Sequence, residues 1–194
     1  MRRKHTIWIG VSALACIVIV GVFAARSRTT IPVATESVQQ KYKQATSTKT
    51  AVFGGGCFWC VESDFEKVDG VIEAVSGYAG GTNENPTYEN YGKYGHREVV
   101  EVTYDPAKVD YAKLVENLIS HSDPTDAGGS FYDRGSEYAP AIYYANDTEM
   151  KIVLRVIQKI DGENIYPSPI TIVVIPRVKL WEAEEYHQDY YKKA

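Results

Sequence analysis

AVFGGGCFWCVESDFEKV, residues Ala51–Val68, is the stretch from which the rest of this chain can be read. A short apolar run, Ala51-Val52-Phe53, has the look of a strand and stops at Gly54-Gly55-Gly56. Phe58, Val61, Phe65 and Val68 then recur at spacings of three and four, the period of a helix with one buried face. Glu62, Asp64 and Glu66 are expected on its exposed side. Strand, glycine turn and helix together put Cys57 at a helix N-terminus, where unpaired N–H groups and the helix dipole favour negative charge. For a thiol that position lowers the pKa, and the thiolate is the nucleophile. The three glycines are expected to turn the backbone sharply and to leave open space before the sulfur.

Working outward, Val71 to Tyr78 reads as a strand and Gly80 to Gly95 as a long Gly-, Asn- and Tyr-rich loop. Glu98 to Tyr104 alternates as a half-buried strand does, and Tyr111 to His121 is amphipathic with Leu114, Val115, Leu118 and Ile119 on one face. Ala141 to Tyr144 and Ile170 to Ile175 read as strands, with a helix from Asp147, its cap, to Ile160 between them. Trp181 to Tyr191 reads as a closing acidic, tyrosine-bearing helix. This alternation predicts an α+β two-layer sandwich with a ferredoxin-like core, occupying 51–194.

The first 28 residues are of another kind. Arg2, Arg3 and Lys4 precede an uncharged run from Ile7 to Ala25, closed by Arg26 and Arg28. That run reaches the lower end of what spans a bilayer, and Val22-Phe23-Ala24 could also serve as a cleavage motif. Its length, beyond a usual signal-peptide core, favours an uncleaved anchor. Thr29 to Thr50 is Thr-, Ser-, Gln- and Lys-rich and reads as a flexible tether. Together these predict an extracytoplasmic protein, membrane-anchored or secreted after cleavage. The leader holds five of the 21 basic residues and no acidic one, leaving 16 basic against 25 acidic residues, a net charge of −9. An acidic domain is a poor nucleic-acid binder, because phosphate contacts need a basic patch. A monomer is the default expectation.

Beyond the leader there are two cysteines, Cys57 and Cys60, too close in sequence to staple a fold. A zinc site needs four ligands, and the domain adds only His96, His121 and His187, widely spaced; no metal is expected. A thioredoxin-type exchanger fits C-x-x-C alone but not the element order, and Phe58-Trp59 is bulky between exchanging cysteines. Adjacent aromatic rings beside a reactive cysteine suggest a pocket for a small apolar group, with a disulfide exchanger and a cysteine packed as a small hydrophobe left as alternatives. Of the chain's 15 tyrosines, most fall after Gly77, which by itself suggests half-buried packing.

GGCFWCVE, GVIEAVSGYAGG, NPTY, GHREVVEVTYDP, DPTD, DRGSEY and AEEYHQDYY, in that order, resemble the peptide methionine sulfoxide reductase A family over about Ala51 to Lys193. The resemblance implies the α+β sandwich and reduction of the S epimer of methionine sulfoxide, free or in proteins, one rung of sulfur oxidation repair. It implies Cys57 as nucleophile, passing through a sulfenic acid, and Glu98 of Gly95-His96-Arg97-Glu98 as acid. A glutamate protonated near neutrality must be desolvated, and Val99 and Val100 beside it are consistent with that. It further implies Tyr88 and Tyr138 as hydrogen-bond donors to the sulfoxide oxygen, Asp133 as support, and Phe58, Trp59 and Tyr190 as substrate-binding residues. No cofactor is implied, only an external thiol such as a thioredoxin-like protein or dithiothreitol. Four departures stand out. The chain ends at Lys192-Lys193-Ala194 without a cysteine-bearing glycine-rich tail, and ENYGKYG is short and lacks a cysteine. Ala139-Pro140 follow GSEY where an arginine is frequent, and Cys60 replaces a glycine. Cys60 or an external thiol must therefore resolve a Cys57 sulfenic acid; a disulfide exchanger or thiol sensor built on Cys57 and Cys60 is the alternative function.

Overall fold

β1 (Lys49–Gly54) is the inner strand around which the fold is built, in a computed structural model that describes residues 48–193. It pairs antiparallel on one side with β3 (Arg97–Tyr104), Phe53 opposite Val100, and on the other with β6 (Ala141–Tyr144), Phe53 opposite Ile142. β2 (Val71–Ala79) pairs antiparallel with β3, and this register sets Tyr78 opposite Glu98. The resulting order β6-β1-β3-β2, all antiparallel, is the ferredoxin-like pairing anticipated from the element order. At the edges, β7 (Val173–Pro176) adds parallel to β6, and β8 (Leu180–Glu182) adds antiparallel to β2, making six strands.

Strand alternation decides which side chains meet the helices. Phe53, Tyr78, Val100, Val102 and Ile142 share one core with α1 (Phe58–Glu66), α2 (Tyr111–His121) and α3 (Asp147–Gly162). Val52, Val99, Ala141 and Tyr143 form a smaller cluster from the alternate positions. Glu98, in phase with Val100 and Val102, therefore faces α1, while Val99 does not. The desolvation expected of Glu98 comes from the packing beneath α1 and from Val100's side of the sheet.

Three local expectations are corrected. Asn146, not Asp147, caps α3: its side chain accepts from the N–H groups of Thr148 and Glu149, both at 3.0 Å. Glu62 is buried rather than exposed. Trp181 to Tyr191 is not a helix; it is β8, a series of turns, and a single terminal turn, α4 (Tyr190–Lys193). The helical period there is outweighed by hydrogen bonds to β2. Ala183 N–H donates to Ser76 C=O (2.9 Å), and the Gln188 amide both accepts from Ser76 N–H (2.9 Å) and donates to its carbonyl (3.0 Å). A two-residue-per-strand hairpin, β4 (Gly129–Ser130) with β5 (Asp133–Arg134), falls within the loop after α2. Among the described residues no helix is long and apolar enough to cross a membrane. The segment expected to be an anchor or signal peptide, and nearly all of the tether, lie outside them.

Candidate active site

Cys57 is the N-cap of α1, its carbonyl accepting from Cys60 N–H (3.1 Å) and Val61 N–H (3.2 Å). The chain reaches it through Gly56, at φ +110, where a Cβ would sit 2.9 Å from the Ser130 Cβ. A Cβ on Gly55 would meet Leu118 at 2.8 Å. The glycines thus admit α2 and the β4–β5 hairpin against the turn, instead of leaving the open space expected before the sulfur.

The thiol itself departs from expectation. Burial, and then the neighbouring Glu98 carboxylate, push the Cys57 thiol up to about 12. The N–H groups of Trp59 and Cys60 pull in the lowering direction, as a helix start should, but are outweighed. The balance at Cys57 therefore favours the thiol over the thiolate.

Glu98 is 2% exposed. Its Oε2 accepts from the Phe58 N–H at 2.8 Å, and its Oε1 from the Tyr91 hydroxyl at 2.7 Å. Both bonds favour the carboxylate, yet burial dominates and holds the Glu98 pKa at about 7, with Asp133 and Glu137 adding repulsion. Near neutrality a sizeable share of Glu98 carries a proton beside Cys57. Tyr138 lies with its hydroxyl 3.2 Å from that of Tyr91, and its segment is held against β3 by Glu98 N–H donating to Glu137 C=O (3.0 Å). Tyr88 is partly exposed, its ring stacked on Tyr91 with centroids 5.9 Å apart, and Glu98 and Cys57 both raise its pKa beyond the effect of burial. Asp133 acts on Glu98 through charge.

The aromatic wall is divided between depth and surface. Phe58 is fully buried against Tyr78 and His187 (5.8 and 5.0 Å between centroids). Trp59 is half-buried, lies flat on Tyr190 (3.7 Å, 3° between planes), and donates its Nε1–H to His187 Nδ1 at 3.0 Å. Accepting at Nδ1 leaves the neutral imidazole its proton on Nε2, 3.8 Å from Glu184, and burial lowers the His187 pKa so that it stays neutral. Cys60 is exposed and its sulfur contacts the Tyr191 hydroxyl at 3.4 Å. It opens onto a surface depression lined by Ser63, Asp64, Lys67 and Tyr191.

Cys57, Glu98, Tyr88, Tyr138, Phe58, Trp59 and Tyr190 therefore gather around the head of α1, with Asp133 at its margin and Cys60 on its outer face. Reading the sequence missed Tyr91, hidden in what looked like a polar loop, and the bracing set Glu62, Glu184, His187 and Gln188. For Glu184, His187 and Gln188 the signal lies in AEEYHQDYY, a stretch whose period suggests a helix; for Glu62 the sequence offers none. A reactive cysteine facing a proton-bearing carboxyl and a cluster of phenols defines a thiol-dependent oxidoreductase site for an oxygen-bearing substrate.

Comparison with known proteins agrees. Residues 49–194 match the peptide methionine sulfoxide reductase family model, and the chain belongs to that family. It is 50% identical over 150 residues to "Peptide methionine sulfoxide reductase MsrA 2" of Rhizobium meliloti, covering 77% of this chain and 75% of that one. It is 47% identical over 166 residues to "Peptide methionine sulfoxide reductase MsrA/MsrB" of Vibrio cholerae, covering 84% of this chain but spanning only 42% of that longer relative. The solved methionine sulfoxide reductase A of Corynebacterium diphtheriae superposes with a TM-score of 0.66 at 32% identity, covering 76% of this chain and 75% of that one.

Proposed function

We propose that this chain reduces the S epimer of methionine sulfoxide to methionine, in proteins and as the free amino acid, and so repairs oxidised proteins. The observation that carries this reading is Glu98, buried beside Cys57 at the head of α1 and held by the Phe58 N–H and the Tyr91 hydroxyl, with burial pushing its pKa up to about 7. Sulfoxide oxygen leaves sulfur readily only when protonated. Glu98 supplies that proton, with Tyr88 and Tyr138 as neutral donors to the oxygen. The Glu98 carboxylate so formed takes the Cys57 proton, and the sulfur attacks the substrate sulfur. The sulfoxide S–O bond breaks, the substrate sulfur gains two electrons, and the oxygen ends as hydroxyl on Cys57, a sulfenic acid. This exchange accounts for a resting thiol paired with an acid in place of a preformed thiolate. Trp59 and Tyr190, braced by His187, would hold the methyl group, with Phe58 beneath them.

Cys60 is proposed to resolve the sulfenic acid, forming a Cys57–Cys60 disulfide and releasing water. Its exposure and the absence of another cysteine between 48 and 193 support this role. The disulfide is then reduced by a thioredoxin-like dithiol, or by dithiothreitol in vitro. The basic-flanked apolar run at the N-terminus supports placing the catalytic part outside the cytoplasm, anchored or released, and the enzyme is proposed to work as a monomer.

The test is reduction of a methionine-S-sulfoxide peptide by the purified full chain with dithiothreitol. Turnover that disappears in Cys57→Ser supports the reading; activity surviving that substitution rejects it. Mass spectrometry after one equivalent of sulfoxide without reductant decides Cys60. Loss of two hydrogens supports it as resolving thiol, and gain of one oxygen assigns that step to an external thiol.

A further inference from the structure

Tyr91 belongs to none of the motifs that identify this chain, yet its hydroxyl makes the shortest side-chain contact to the acid. Its ring is 6% exposed and stacked on Tyr78 at 4.8 Å. Its backbone is tied at both ends: the N–H donates to Thr87 C=O (2.9 Å), and the carbonyl accepts from Tyr94 (3.2 Å) and His96 (3.1 Å). The hydroxyl is thereby fixed between Glu98 Oε1 at 2.7 Å and the Tyr138 hydroxyl at 3.2 Å. One phenol proton cannot be given to both neighbours at once. With Glu98 ionised, Tyr91 donates to the carboxylate. With Glu98 protonated, Oε2 still faces the Phe58 N–H, which can only donate, so the acid proton belongs on Oε1. From there it points at Tyr91, whose own proton is released toward Tyr138.

We infer that Tyr91 is the positioning residue of the acid: it orients the Glu98 proton and relays it to Tyr138, which presents a proton to the pocket. This deepens the sulfoxide-reductase reading and rests on it. In the relay, Glu98 gives its proton to Tyr91, Tyr91 gives its own to Tyr138, and Tyr138 gives its own to the sulfoxide oxygen. The thiol proton of Cys57 returns to Glu98, so a single proton moves in each link and none is lost. The groups facing Glu98 are Cys57 and the Phe58 N–H from α1, Tyr78 from β2, and Tyr88 and Tyr91 from the loop before β3. Asp133 of β5, with Glu137 and Tyr138 after it, completes the set. Of the side chains among these, Tyr91 is the one hydrogen-bonded to the carboxyl.

Tyr91→Phe keeps the stacked ring and removes only the hydroxyl. The expected result is a fall in kcat of about ten- to a hundredfold with little change in KM, the scale of a lost proton-transfer element. The alkaline limb of the kcat profile should also move to higher pH, because a donor that favours the carboxylate is gone. In a Glu98→Gln background the same change should cost nothing further in single-turnover rate, because a residue acting through Glu98 has no second route. A wild-type rate and limb position, or an equal loss in both backgrounds, overturns the inference. Carbon-13 NMR titration of the Glu98 carboxyl reads the same contact without turnover, so it separates this inference from the activity assignment. Tyr91→Phe should raise its midpoint, and an unmoved midpoint overturns the role even if the protein acts on another substrate.

Discussion

Two glutamates in this molecule are equally hidden and do opposite work. Glu62, on α1, and Glu98, on the strand facing it, are each 2% exposed, and burial raises the pKa of both. Glu62 is surrounded by fixed donors: the N–H (3.2 Å) and hydroxyl of Ser76, and the Asp189 N–H. Those bonds join α1 to β2 and to the C-terminal turns, and they leave no oxygen free for a reactant. Glu98 accepts from one backbone donor and one phenol, and the other groups facing it are a thiol, three more tyrosines and the carboxylates of Asp133 and Glu137. Desolvation alone does not make a catalytic acid. What distinguishes Glu98 is a hydrogen-bonded phenol, the relay partner proposed above, and a thiol within reach of its charge.

Breaking one member of the pair should damage chemistry, and breaking the other should damage structure. Glu98→Gln, which cannot supply a proton, is expected to lower kcat for sulfoxide reduction by about 10²- to 10⁴-fold at unchanged melting temperature near pH 5. In the wild type the same rate should fall as pH rises through about 7, where Glu98 ionises. A pH-independent rate between 6 and 9 would remove Glu98 from the acid role.

The second expected effect is on stability. Glu98 goes from the ordinary 4.5 to about 7 on folding. A raised carboxyl pKa gives stability that is fully present below 4.5 and lost as pH rises through 7. The wild type should therefore lose about 3 kcal/mol relative to Glu98→Gln across that window. Urea titrations of both proteins at pH 4.5 and 8 measure it, and parallel curves would contradict the burial argument.

Glu62→Gln sharpens the contrast from the other side. It should cost about 1–3 kcal/mol of stability, the scale of buried hydrogen-bond groups left unmatched, with kcat reduced far less than by Glu98→Gln. Equal kinetic losses in the two variants would erase the distinction. Smallest of all should be Lys192→Ala. Lys192 binds Glu66 (2.6 Å) and Asp189 (2.7 Å) on the surface beside Glu62, where solvent screens ion pairs. Neither melting temperature nor turnover should change measurably.

The same pair marks what could be read from the residues alone. β1, α1 and the strand bearing Glu98 were legible because their apolar periods agree with the core they build. Cys57 and Glu98 stand out in the sequence because their motifs are specific, and the fold brings the two side chains together. Glu62 was not: on a nine-residue helix, an acidic residue next to Val61 reads as solvent-facing until the C-terminal segment folds over it. That segment was itself misread, since its side chains satisfy Ser76, Tyr78 and Trp59 rather than a helix of their own. The resting state of Cys57 was misread for an electrostatic reason. Helix-start donors are visible in a sequence, whereas burial and a facing carboxylate are properties of the fold.

The claim at the centre is that Glu98 holds a proton near neutrality in the resting enzyme. Infrared difference spectra of wild type minus Glu98→Gln, recorded across pH, isolate its carboxyl stretch. A protonated-acid band fading with a midpoint near pH 7 is the predicted result; a carboxylate already formed by pH 5 would contradict it.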